Sequence, residues 1–169
     1  MKKRHIEFNE FSKLVGNIAR EIAISDWRPD YIVGITRGGL LPATMLSHYF
    51  DVPCHTLKVS LRDFADNTCE SNCWMADDAY GYGTDKKKIL IVDDINDSGA
   101  TLNWIKSDWR SSCMPDNIEV WENIWHNTVK FACVFDNLDS KFQEVDYNGC
   151  TFDKREIDEW IVFPYEGWW

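Results

Sequence analysis

Three acids and a run of small, partly hydroxylic residues fall within nine positions: Asp93, Asp94 and Asp97, then Ser98, Gly99, Ala100 and Thr101. Carboxylates so spaced can hold a hard divalent cation such as Mg²⁺ or accept bonds from the paired hydroxyls of a sugar. Asp93 and Asp94 repel each other by roughly 1 kcal/mol or more at a few Å even with solvent screening, and either ligand relieves that. The turn from Asp97 to Thr101 offers successive backbone N–H groups and two side-chain hydroxyls. Gly99 allows close approach or a positive φ. At a helix start such a turn binds anions through orphan N–H groups and the helix dipole. Each piece alone reads equally well as a polar strand end or ordinary turn chemistry. Their juxtaposition points to a phosphorylated, hydroxyl-bearing ligand.

The elements that must position these groups are legible around them. Ile89, Leu90, Ile91 and Val92 form a continuous β-prone run, as in a strand covered on both faces. The acids then lie at its carboxyl end, where ligands bind in open α/β sheets. A second strand, Tyr31–Ile35, runs into Thr36-Arg37-Gly38-Gly39. Arg37 supplies a fork of donors for phosphate oxygens, and the two glycines let backbone amides come close. A helix over Leu40–Phe50 follows, with Pro42 tolerated in its first turn.

The rest of the chain alternates in the same way. Phe8, Phe11, Leu14, Val15, Ile18 and Ile22 predict an amphipathic helix from about Asn9 to Ile24. Strands are expected at Val52–Val59 and Val129–Phe135, and a helix at Gly99–Trp109. Met114 to Asn117 breaks the pattern. Ile118 to Asn127 is aromatic, ambiguous between helix and strand, and a candidate subunit contact. Residues 60–87 are polar and too long for a plain connection, which fits a flap anchored by Met75, Tyr80 and Tyr82. From Phe142 onward, short aromatic segments read as a hood. The alternation predicts a parallel sheet with right-handed crossovers in one domain spanning 1–169.

Composition narrows the function classes. The chain has 169 residues, 44% of them hydrophobic, and a net charge of −10. That charge argues against binding a nucleic-acid backbone, so an anionic ligand must be attracted locally by Arg37 and amides. No run of about 18 apolar residues exists, so no membrane span is expected. The basic start has no apolar stretch behind it and does not read as a secretory signal. The six cysteines, at 54, 69, 73, 113, 133 and 150, then read as reduced thiols. Cys69 and Cys73 lack two further ligands for zinc. Lys86 to Lys88 reads as solvated.

The strand, the acid pair and the Asp97–Thr101 turn together resemble the phosphoribosyl pyrophosphate (PRPP) signature of type I phosphoribosyltransferases. The resemblance implies an α/β fold with a mostly parallel central sheet flanked by helices, a flexible flap and a small C-terminal hood. It implies that Asp93 and Asp94 hold the ribose hydroxyls and Mg²⁺, that Asp97 is the catalytic acid near the base, and that Asp97, Ser98, Gly99, Ala100 and Thr101 cradle the 5′-phosphate. Thr36, Arg37, Gly38 and Gly39 would form the pyrophosphate loop, which in this family often contains a cis non-proline peptide. Arg62, in the flap, would reach the phosphates.

Asp158 to Glu166 is similar to the end of the purine-specific branch, especially xanthine–guanine phosphoribosyltransferases. There Trp160 would stack on the base and Ile161 would read its edge through the backbone. Purine enzymes usually carry a lysine where Asn137 falls in this chain; an Asn amide can donate to a keto oxygen but carries no charge. Lys141 could substitute. The implied activity is cytoplasmic purine salvage with PRPP and a 6-oxopurine as substrates, in a homo-oligomer of two or four copies. A phosphoribosyltransferase for another base, a non-catalytic PRPP-binding regulator, and a scaffold with Trp-rich surfaces for a protein partner remain as alternatives.

Overall fold

The computed structural model describes residues 1–61, 68–69, 73–83, 85–112 and 117–169. Its elements, in chain order, are β1 (Lys2–His5), α1 (Phe8–Ile24), β2 (Tyr31–Thr36), α2 (Leu40–Phe50), β3 (Cys54–Ser60), β4 (Thr68–Cys69), α3 (Cys73–Tyr80), β5 (Ile89–Asn96), α4 (Ala100–Ser112), α5 (Ile118–Ile124), β6 (Val129–Asn137), β7 (Tyr147–Phe152) and β8 (Glu159–Val162). Six strands form one sheet in the order β4-β3-β2-β5-β6-β7. All its pairings are parallel except β3 with β4.

The order of winding places the site. From β2 the chain crosses to β3 on one side, then returns to lay down β5, β6 and β7 on the other. Right-handed crossovers therefore put α2 and α4 on opposite faces of the sheet, and β2 and β5 flank the switch point. Alternate residues of each strand feed the two cores. Tyr31, Val33, Ile35, Ile89 and Ile91 pack with α3, α4 and α5. Ile32, Leu90 and Val92 pack with α1 and α2. α1 buries Phe11, Val15, Ile18 and Ile22, the stripe that its spacing predicts.

Three features differ from the reading of the sequence. β5 runs past both acids to Asn96, because β6 keeps pairing with it through Asn96↔Asp136 after β2 has left at Gly34↔Val92. β7 joins the main sheet, so the separate hood sheet begins at β8, whose parallel partner is β1. Strand β1 is exposed along its length and shows no apolar alternation, so only its distant partner makes it a strand. The ambiguous Ile118–Asn127 stretch begins as helix and turns its tryptophans inward: α5 carries Trp121, which stacks on Trp125, and Trp125 stacks on Phe131.

Within the flap expectation, residues 62–67, 70–72 and 84 fall outside the described residues, and Arg62 with them; so do 113–116 at the expected break. α3 is described and packs into the core through Met75, Ala76 and Ala79. Tyr80 touches Trp121, while Tyr82 is exposed.

Phe131 is fully buried and contacts Trp125, His126 and Phe142. Phe131→Ala should lower unfolding free energy by about 3–5 kcal/mol, from lost transfer energy plus a cavity. Urea denaturation of both proteins checks it.

Candidate active site

Where β2 and β5 part, their carboxyl ends frame a cleft of about 1060 Å³. Thr36, Arg37 and Gly38 line it from the β2 side, and the Asp93–Thr101 segment lines it from the β5 side. Arg37 is exposed on this wall. The Thr36–Arg37 peptide is cis. α4 begins at Ala100, so its first N–H groups open toward the same space, and Ser98 Oγ accepts from Ala100 N at 3.3 Å. A helix of 13 residues with its amino end in a cleft is an anion site.

Glycine is required here for space. A Cβ at Gly38 would overlap the Asp94 carboxylate, and one at Gly39 would run into the Val92 carbonyl and the Ile35 backbone. Gly39 thus lies behind the wall, where β2, β5 and the turn touch. Gly99 has φ +85°, and a Cβ there would meet Phe142 N at 2.5 Å.

A buried polar clasp fixes the second loop. Asn96 Nδ2 donates to Asp136 Oδ1 and to the Phe142 carbonyl, each at 2.8 Å. Ser140 Oγ donates to Asn96 Oδ1 at 2.9 Å and accepts from Phe142 N at 3.0 Å. Lys141 N donates to the Ser98 carbonyl at 3.0 Å. Asn137 is buried and belongs to this framework: its Nδ2 donates to the Asp97 carbonyl at 2.9 Å, and its Oδ1 accepts from Asp139 N and Lys154 N at 3.1 and 3.2 Å.

The C-terminal residues close the cleft from the other side. The Tyr165 hydroxyl is shared between Asp94 Oδ2 at 2.8 Å and the Gly38 carbonyl at 3.1 Å, so one phenol joins both loops. Tyr165, Glu166, Gly167 and Trp169 all line the space. Burial pushes the Asp94 carboxyl above its ordinary range, with bonds from the Tyr165 hydroxyl and the Ile95 N–H acting against it and Glu166 adding to it. Burial, then the charge of Asp94, raises the Tyr165 phenol well beyond the usual tyrosine range.

A smaller cavity of about 160 Å³ adjoins, sharing Asp94, Asp97 and Glu166 with the first. Trp160 and Ile161 of β8 line it, with Lys154 from the β7–β8 connection. Lys154 Nζ bonds Asp97 Oδ2 at 2.8 Å and lies 6.0 Å from the Trp160 ring centre.

The structure therefore brings together Thr36, Arg37, Gly38, Asp93, Asp94 and residues 97–101 around one cavity, and Trp160 and Ile161 at the other. It does not put Asn137 or Lys141 in either wall. The Asn137 amide is consumed by loop backbone, and Lys141 is an exposed residue whose backbone, rather than its ammonium, holds the loop. Lys58, Lys154, Tyr165, Glu166 and Trp169 line the cavities without having been picked out from sequence. Lys58, at the carboxyl end of β3, was within reach of the switch-point rule. Tyr165 and Glu166 close the Asp158–Glu166 stretch without having been singled out within it, and Lys154 and Trp169 carry no local signal, since only the hood's return path brings them here.

Asp93 and Asp94 offer hard oxygen donors that suit Mg²⁺. Among the described residues no group of three or more His, Cys, Asp or Glu side chains is gathered for a metal. A cation at this acid pair would complete its shell from ligand oxygens and water.

A match to the phosphoribosyl transferase domain family spans residues 7–166. The chain belongs to that family. Xanthine phosphoribosyltransferase 1 of Saccharomyces cerevisiae is 24% identical over 189 residues, covering 98% of this chain and 90% of the yeast protein. A xanthine-guanine phosphoribosyltransferase of Cereibacter sphaeroides is 39% identical over 87 residues, 48% of this chain and 47% of that protein. The fold is shared with a purine phosphoribosyltransferase from Pyrococcus horikoshii, at TM-score 0.67 and 23% identity over 98% of this chain and 95% of that one. In this phosphoribosyltransferase Tyr165 draws the β5–α4 segment and the β2–α2 turn together.

Two substitutions should separate fold from site. Gly39→Ala should destabilise by about 1–3 kcal/mol, because backbone must move. Gly38→Ala should displace Asp94, leave the melting temperature nearly unchanged and weaken PRPP binding by about tenfold or more, an energy of 1.4 kcal/mol or above. Thermal melts and calorimetric PRPP titration distinguish the two.

Asp94 also sets a pH test. A carboxyl whose folded pKa lies above its ordinary 3.8 destabilises the native state fully at pH above the raised value, and the penalty fades as pH falls toward 3.8. Asp94→Asn in metal-free buffer should therefore melt higher than the parent at pH 8, by a margin that shrinks as pH falls. A constant margin would exclude the carboxylate as its source.

Proposed function

We propose that the chain is a purine salvage enzyme that transfers the 5-phosphoribosyl group of PRPP to a 6-oxopurine (xanthine, guanine or hypoxanthine). The bond from C1′ to pyrophosphate breaks, a bond from C1′ to a ring nitrogen forms, and the nucleoside 5′-monophosphate and pyrophosphate leave. The observation that carries this reading is the contiguity of the two cavities across Asp94 and Asp97. A phosphate-binding cleft opens onto a small aromatic-walled pocket, so a ribose bound at the acids has its anomeric carbon facing the pocket.

In this reading Arg37 and the amides of the turn ahead of Gly39, whose own N–H is bonded to the Ile35 carbonyl, hold the pyrophosphate and stabilise its developing charge, as preorganised donors do. Asp93 and Asp94 bind the ribose hydroxyls and Mg²⁺; the ion, when bound, neutralises pyrophosphate charge. The turn from Asp97 to Thr101 cradles the 5′-phosphate. The base stacks on Trp160, worth on the order of 1–3 kcal/mol, and the Ile161 backbone reads its edge. Asp97 positions the base and accepts its ring proton. The whole chain acts as one domain, with a flap over about 60–87 and a hood in the 142–169 region.

Cytoplasmic location belongs to the same reading. A dimer or tetramer rests on the family resemblance and is read by light scattering.

Purified protein with PRPP, Mg²⁺ and separately xanthine, guanine, hypoxanthine, adenine, uracil and orotate should form nucleotide and pyrophosphate with one or more oxopurines alone. Conversion only of another base would change the substrate. PRPP binding with no conversion at all would make the chain a regulator. Asp97→Asn should lower kcat by about 10²-fold or more and keep PRPP binding within a few-fold; unchanged turnover would remove Asp97 from the chemistry.

A further inference from the structure

The residues that follow β8 form a braced unit. The Phe163 N–H donates to Glu166 Oε2 at 2.8 Å, and the Glu166 N–H donates back to the Phe163 carbonyl at 2.9 Å. The Phe163 and Tyr165 rings stack with centres 5.5 Å apart and planes 1° from parallel, and both stand edge-on to Phe11 of α1. Phe11 is fully buried, so the Tyr165 ring is anchored in the core behind it and its hydroxyl reaches forward. That hydroxyl has one proton and two acceptors, Asp94 Oδ2 at 2.8 Å and the Gly38 carbonyl at 3.1 Å. The acceptors belong to different loops, and they touch: a Cβ at Gly38 would lie 2.0 Å from Asp94 Oδ2. A third segment, fixed to α1, therefore sets how the two cleft loops sit against each other.

We propose that Tyr165 is a positioning residue whose hydroxyl couples the two loops, so that a ligand on the β5–α4 side strengthens the hold of the β2–α2 turn on pyrophosphate. The inference rests on the phosphoribosyl-transfer reading of the cleft and deepens it. A bond to a charged acceptor is the stronger one, so in the empty cleft the phenol proton belongs mainly to Asp94. A ribose hydroxyl that donates to Asp94 draws on the same carboxylate charge. The proton then leans toward the Gly38 carbonyl and firms the turn that presents Arg37. Hydrogen bonds sharing a group in a low-dielectric site polarise one another in this way, and neither loop has to move. The effect is reciprocal, as any coupling between two binding events must be. Tyr165 makes and breaks no bond of the substrate; it acts through Asp94 and Gly38.

Tyr165→Phe removes the hydroxyl and keeps the ring against Phe11 and Phe163, so the variant folds. Calorimetry on the whole protein, in one Mg²⁺-containing buffer, gives the dissociation constant of pyrophosphate alone and in saturating inosine 5′-monophosphate. The first constant divided by the second measures how far the nucleotide helps pyrophosphate to bind. That ratio should be at least about fivefold smaller in Tyr165→Phe than in the parent protein, the low end of ordinary coupling between sites. A merely structural role would weaken each ligand singly and leave the ratio alone, and a reduction of less than fivefold overturns the proposal. Failure of either ligand to bind the parent protein would sink the functional reading and this inference together. Binding of both, with a ratio indifferent to the hydroxyl, would sink this inference alone.

Discussion

The molecule is organised by the early parting of β2 from β5. Their pairing stops at Gly34↔Val92, while β5 continues against β6 to Asn96. A strand that keeps one neighbour and loses the other presents main chain and side chains to an open crevice without surrendering its own support. Both cleft-lining loops spring from that point, and their helices leave on opposite faces because the winding reverses there. Gly39, lodged against Val92 and Ile35, keeps the crevice narrow at its base.

Into this cleft an acidic protein must bring a highly anionic substrate. With ten more acidic than basic charges in the chain, the overall field opposes approach, and the proposed binding rests on short-range donors that line the cleft, the Arg37 fork and the amino end of α4. Such donors act within a few Å and are little affected by distant charge, because solvent and salt screen the latter beyond about 10 Å. The burial that raises the Asp94 carboxyl works against the empty site and in favour of the filled one, since a cation or hydroxyl pair supplies what water no longer can.

Much of this was legible in the chain. The apolar stretch Tyr31–Ile35 and the continuous aliphatic run Ile89–Val92 marked strands, and Asp-Asp followed by Asp-Ser-Gly-Ala-Thr marked what the second of them carries. Those signals are local: periodicity, turn chemistry and charge within a dozen residues. Lys154 and Tyr165 have no such mark. Each gains its meaning from a fold-back of tens of residues, and Lys154 resembles any solvated lysine in a polar stretch. Asn137 shows the converse. Its place in the chain suggested a ligand contact, whereas the tertiary structure spends its amide on three backbone groups. The exposed β1 strand, Lys-Lys-Arg-His, likewise has no pattern of its own and is a strand only by virtue of β8.

That last pairing has a kinetic side. Lys2 to His5 meet Glu159 to Val162 across more than 150 residues, the most distant register in the molecule. Loop-closure entropy for such a contact is lost before any of its hydrogen bonds can form. The main sheet closes over shorter separations, so its strands can pair while the hood is still unpaired, but the cleft gains its C-terminal wall and the Tyr165 bridge between its loops only when the chain returns. The pocket walled by Trp160 and Ile161 thus depends on the contact with the largest loop-closure cost in the sheet pairings.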